Sequence, residues 1–137
     1  MHTLAVAAVV AMTITVYVPQ AGGSNGDMVT ASGETARTGL AACGPRYPFG
    51  AVFEIHEEMD DWALPTVVVC VDRGSAVGSH NLDLALVSGD VQRDLETARQ
   101  WGKRRRNVTI YASLEAYHAA RLLRERLEIF GVDPPLR

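Results

Sequence analysis

The stretch "VVVCVDRGSAVGSHNLDLAL", residues 67–86, constrains the fold more than any other part of the chain. Val67 to Val71 is an unbroken apolar run rich in β-branched residues, the pattern of a strand covered on both faces. Asp72-Arg73-Gly74 ends it in a turn, and a connection rich in glycine and serine leads to "NLDLALV". There Leu82, Leu84 and Leu86 take one face while Asn81, Asp83 and Ala85 take the other. We read the segment as a hairpin with an acid at the mouth of each strand. A carboxylate inside "LDLAL" costs free energy unless it opens onto a groove or is hydrogen-bonded. Simple outward alternation also accounts for Asp83, and a turn-capping role also accounts for Asp72.

The rest of the chain supplies more short strands than helices. "TITVYV" predicts a first strand over Thr13 to Val18, closed by Pro19. A Gly-, Ser- and Thr-rich loop follows, then strands at "LAAC" and "AVFEIHEE" separated by the "GPRYPFG" turn. "EEMDDWALP" reads as an acidic excursion with Trp62 partly covered. Helical period begins at "VQRDLETARQW", stopped by Gly102, and "RNVTIYA" returns to strand. A last helix is expected from Ser113, as N-cap, to Gly131, with Leu114, Tyr117, Leu123, Leu127 and Phe130 as its apolar stripe. Many short strands with one helix between the last two predict a small closed barrel.

At 137 residues, 47% hydrophobic and with a net charge of −3, the chain has the balance of one globular domain. Mild acidity gives no electrostatic case for nucleic acid, and Lys103-Arg104-Arg105-Arg106 reads as a solvated lead-in to a strand. Cys43 and Cys70 suffice for one disulfide or remain two buried thiols. His56, His80 and His118 show no metal-ligand spacing around them, so no metal is expected. Residues 1–12 are apolar without Lys or Arg, which reads as a shortened export signal and is too short for a stable membrane span.

Taken in order, "YVP", "VTASGETARTGLAACGPRYPFGAVFEI", "VVVCVDRGSAVGSHNLDLAL" and "RQWGKRRRNVTIY" resemble the three-aspartate (3D) domain. That domain belongs to the family of lytic transglycosylase A, and "TASGE" and "DRG" also resemble its rare lipoprotein A branch. The resemblance implies a mainly β fold: a six-stranded double-psi β-barrel over residues 13–111, with a short inserted helix, followed by a C-terminal helix and tail over 112–137. It implies Asp83 as the catalytic carboxylate and Asp72 as its neighbour, eleven residues apart as in the family. Tyr17, Thr30, Ser32, Gly74 and His80 become candidate substrate-binding residues. The place of the family's third aspartate holds Cys43, which the resemblance pairs with Cys70 in a bridge between groove-bearing strands. No cofactor is implied; the expected partner is peptidoglycan, the expected location extracellular or in the cell envelope, and the expected state a monomer.

The chemistry fits that set. Cleaving a β-1,4 glycosidic bond needs an acid to protonate the leaving oxygen as an oxocarbenium-like state develops. One carboxylate suffices when the sugar's own 6-hydroxyl attacks and leaves a 1,6-anhydro product. That carboxylate must hold its proton towards neutrality, which desolvation and a neighbouring like charge both favour. The alternative class is a non-catalytic polysaccharide-binding barrel, as in expansin-like relatives, which the missing third aspartate favours. A structural module with a vestigial groove is a third option.

Overall fold

The computed structural model describes residues 8–22, 28–57 and 59–129. Six strands, β1 (Ala8–Tyr17), β2 (Leu40–Cys43), β3 (Val52–Ile55), β4 (Val67–Asp72), β5 (Asn81–Ala85) and β6 (Arg104–Tyr111), close into one barrel. Their order around it is β1-β5-β2-β4-β3-β6. The pairs β1/β5 and β2/β4 are parallel and the other four antiparallel. Helix α1 (Val91–Trp101) is inserted between β5 and β6, and α2 (Leu114–Ile129) follows the barrel.

Alternation fills the interior. Met12, Ile14, Phe53, Ile55, Val68, Leu82, Leu84 and Val108 are fully or almost fully buried in one cluster. Each such side chain contributes roughly 1.5–3 kcal/mol through burial. Trp101, from the last turn of α1, joins them and donates from its indole N–H to the Ile14 carbonyl at 2.9 Å. Helix α1 is capped by the Asp90 carboxylate, which accepts from the Arg93 amide, and ends at Gly102 with φ +62°, a conformation that suits glycine.

Four local readings change. Residues 67–86 do not form a hairpin: β4 and β5 lie on either side of β2, so the strands bearing Asp72 and Asp83 are not neighbours. The loop joining them crosses the exit of β2, where a Cβ on Gly44 would stand 2.5 Å from the Gly78 carbonyl oxygen. Only glycine at position 44 permits that crossing. Strand β1 begins at Ala8, earlier than its β-branched core, because Ala8–Ile14 pairs along β6. The basic run lies within β6 instead of leading into it. Arg104 stacks on Trp62 and Trp101, and Arg106 reaches Trp101 and pairs with Glu57, so both are half-buried. On α2 only Tyr117 is buried, edge-on to Tyr111; Leu114 and Leu123 are exposed and Leu127 is half-buried. Ser113 does cap α2, accepting from the Ala116 amide, while Phe130 and Gly131 lie outside the described residues.

Candidate active site

Pairing places the two aspartates in one transverse row on the outside of the barrel wall. Thr15 of β1 pairs with Asp83 of β5, Asp83 with Ala42 of β2, and Ala42 with Asp72 of β4. Residues paired across a sheet share a face, so the row runs Thr15–Asp83–Ala42–Asp72, with the small Ala42 between the acids. A register shift between Ala41 and Ala42 along β4 brings Asp72 into that row.

The two carboxylates differ in surroundings. Asp83 Oδ1 accepts from the Thr15 hydroxyl at 2.8 Å, and Oδ2 receives no hydrogen bond among the described residues. Burial pushes the Asp83 carboxyl above its ordinary pKa; the Thr15 hydrogen bond opposes this, and the Asp72 charge adds to the rise. Asp72 Oδ1 accepts from the amides of Ala31 (3.0 Å) and Arg73 (2.9 Å), and Oδ2 from the Tyr17 hydroxyl (3.1 Å). Three of the roughly four lone-pair sites of that carboxylate are therefore taken. The Tyr17 phenol is raised above its ordinary pKa by its burial and by Asp72, so it stays a donor.

The other candidates fall into two groups. Tyr17, Thr30 and Asp72 line an open concavity of about 470 Å³, together with Pro19, Met28 and Leu95. Thr30 and Ser32 hydroxyls lie 3.1 Å apart, and the Ser32 amide donates to the Val71 carbonyl, so the "TASG" loop docks on the end of β4. Gly74 and His80 belong to the β4–β5 loop: the Gly74 carbonyl accepts from the Val77 amide, and the His80 carbonyl from the Thr13 amide. The His80 side chain is exposed.

Cys43 and Cys70 form a disulfide between β2 and β4, with Cα atoms 5.7 Å apart and both residues fully buried. Arg73 covers it. One of its terminal nitrogens lies 3.0 Å from Cys43 Sγ and 3.2 Å from Cys70 Sγ, the other donates to the Tyr47 carbonyl at 2.7 Å, and the guanidinium stacks 4.2 Å over Phe49. Sequence reasoning passed over Arg73 and Thr15. Thr15 was detectable by parity, since it shares its strand face with Tyr17 two residues on. Arg73 gave no signal beyond adjacency to Asp72.

No family model matches the chain, and none of the curated proteins does. Among solved structures, an apo form of a variant of the E. coli lytic transglycosylase MltA matches with 13% identity and a TM-score of 0.42, over 59% of this chain and 26% of that one. The chain thus spans about a quarter of that protein's length.

Proposed function

We propose that this chain cleaves the β-1,4 bond between N-acetylmuramic acid and N-acetylglucosamine in peptidoglycan, with Asp83 as the single acid and base. The observation that carries the reading is the inequality of the two carboxylates. Asp83 is half-buried, favours its proton and has an oxygen on the outer face that is unengaged among the described residues. Asp72, with its oxygens held by three donors, supplies charge and holds the "TASG" loop. In this mechanism Asp83 gives its proton to the glycosidic oxygen as the bond to C1 breaks. The 6-hydroxyl of the same sugar then bonds to C1 and its proton passes to Asp83, which restores the acid. No water is consumed. Asp72 favours the protonated form of Asp83 before the step, as unequal carboxylates do elsewhere. The "TASG", "YPFG" and "DRG…NLD" motifs support the choice of glycan, and the disulfide fits an oxidising compartment such as the cell envelope.

A binding barrel without turnover is favoured by one observation: where the resembled family has a third aspartate, this chain has Cys43 bridged to Cys70 beneath Arg73. Release of soluble fragments from purified peptidoglycan separates the two. Wild type is expected to release them, and Asp83→Asn to lose at least ~100-fold of the rate, the usual scale of acid–base assistance. Equal release by both proteins removes Asp83 from the chemistry, and tight binding with no release by either supports the binding barrel.

A further inference from the structure

Strand parity divides the basic run between two tasks. Arg104 and Arg106 pair with Ile14 and Met12, the inward residues of β1, and lie against Trp62 and Trp101. Arg105 pairs with Thr13, which shares its face with Thr15 two residues further along β1. Arg105 therefore lies on the face that carries Asp83. Its guanidinium donates to the Thr13 hydroxyl at 3.4 Å, the side chain is exposed, and no acidic group pairs with it among the described residues. One strand thus holds a carboxyl at Thr15 and a guanidinium at Thr13. Thr13 also pairs with Asn81, and its amide donates to the His80 carbonyl, which places the row Arg105–Thr13–Asn81 beside the row Thr15–Asp83.

From these positions we infer that Arg105 is a specificity-determining residue that binds a carboxylate carried by the glycan next to the bond presented to Asp83. The inference rests on the glycan reading above. Two strand spacings and one two-residue step separate the Cα atoms of Arg105 and Asp83 by ~12 Å, a gap that the arginine side chain narrows to the scale of one sugar residue. A planar guanidinium engages a carboxylate through two parallel hydrogen bonds, which a neutral sugar cannot offer. Muramic acid carries such a group on its lactyl ether, either free or extended by a peptide with carboxylates of its own. N-acetylglucosamine carries none. Arg105 is too far from Asp83 to act on its proton: the groups that shift Asp83 are burial, Thr15 and Asp72. Selection of substrate and chemistry are in this way divided between adjacent rows of one sheet face.

The test is calorimetric binding in the full chain carrying Asp83→Asn, which prevents turnover, with Arg105 intact or replaced in Arg105→Gln. Three oligosaccharides of equal length serve as probes: alternating N-acetylglucosamine and muramic acid with free lactyl carboxylates, the same chain bearing peptides, and neutral N-acetylglucosamine. Arg105→Gln is expected to weaken at least one carboxylate-bearing probe by about tenfold, about 1.4 kcal/mol, while affinity for the neutral probe changes less than twofold. Whichever anionic probe loses affinity identifies the carboxylate as lactyl or peptide. Equal losses on all three probes, or no loss on any, overturns the role of Arg105 and leaves the glycan reading standing. Failure of all three probes to bind with Arg105 intact overturns both.

Discussion

The proton affinity of Asp83 is a balance among burial and two neighbours, Thr15 and Asp72. Burial and the Asp72 charge raise it, and the Thr15 hydroxyl lowers it by bonding to the ionised form. In the proposed mechanism Asp83 acts first as an acid, so cleavage should fall as pH rises through its folded pKa. Asp72→Asn removes one of the upward contributions, so that falling limb should move to lower pH, as read from a pH–rate profile on soluble glycan fragments. The same shift links stability to pH. The folded state holds the Asp83 proton more tightly than the unfolded chain does. Its stabilising contribution is therefore complete below the unfolded pKa and is lost as pH rises through the folded one. Asp83→Asn cannot ionise, so its Tm should exceed that of wild type at neutral pH. The two should converge near pH ~3, where both forms are uncharged. A lower Tm for the variant at neutral pH contradicts the sign of the shift.

At the scale of elements, β2 organises the site. It separates the strands of the two aspartates, is tied to β4 by Cys43–Cys70, and lets the β4–β5 loop cross at Gly44. Replacing both cysteines by alanine opens a bridge spanning 27 residues of sequence. The expected cost is about 3 kcal/mol, or on the order of 10 °C in Tm by calorimetry. Gly44→Ala should cost about 2 kcal/mol in a urea titration, because the atom in the way is backbone and does not yield as a side chain would. The strands themselves were legible in the sequence: apolar runs such as Val67–Val71 and the alternation of 81–86 give their existence and the outward direction of Asp83. Their order was not. Nothing local to β4 and β5 records that a third strand lies between them, so the hairpin reading failed where pairing is long-range. The α2 stripe misled for a related reason. Periodicity marks an amphipathic face, but only the Tyr117 turn reaches the barrel.

At the scale of the whole molecule, closure of the barrel commits the apolar side chains inward and leaves the site on the outside of the wall. The pairing of Asp83 with Thr15 and of Ala42 with Asp72 sets the two aspartates in one row without a deep cleft. The order of motifs along the chain marked the aspartates, Tyr17 and Thr30 as candidates; the unequal hydrogen bonding of the two carboxylates became visible only in three dimensions. The proposed mechanism, built on a half-buried Asp83 with one carboxyl oxygen unengaged among the described residues, uses no second catalytic carboxylate and no water. The chemical form of the product is the most direct record of that mechanism. Purified peptidoglycan digested by the wild-type chain in heavy-oxygen water, followed by mass spectrometry of the released fragments, should give 1,6-anhydro muramyl ends, one water lighter than hydrolysed ends and free of the heavy isotope. Reducing ends that carry heavy oxygen would instead show that water attacks, and would contradict the single-carboxylate mechanism centred on Asp83.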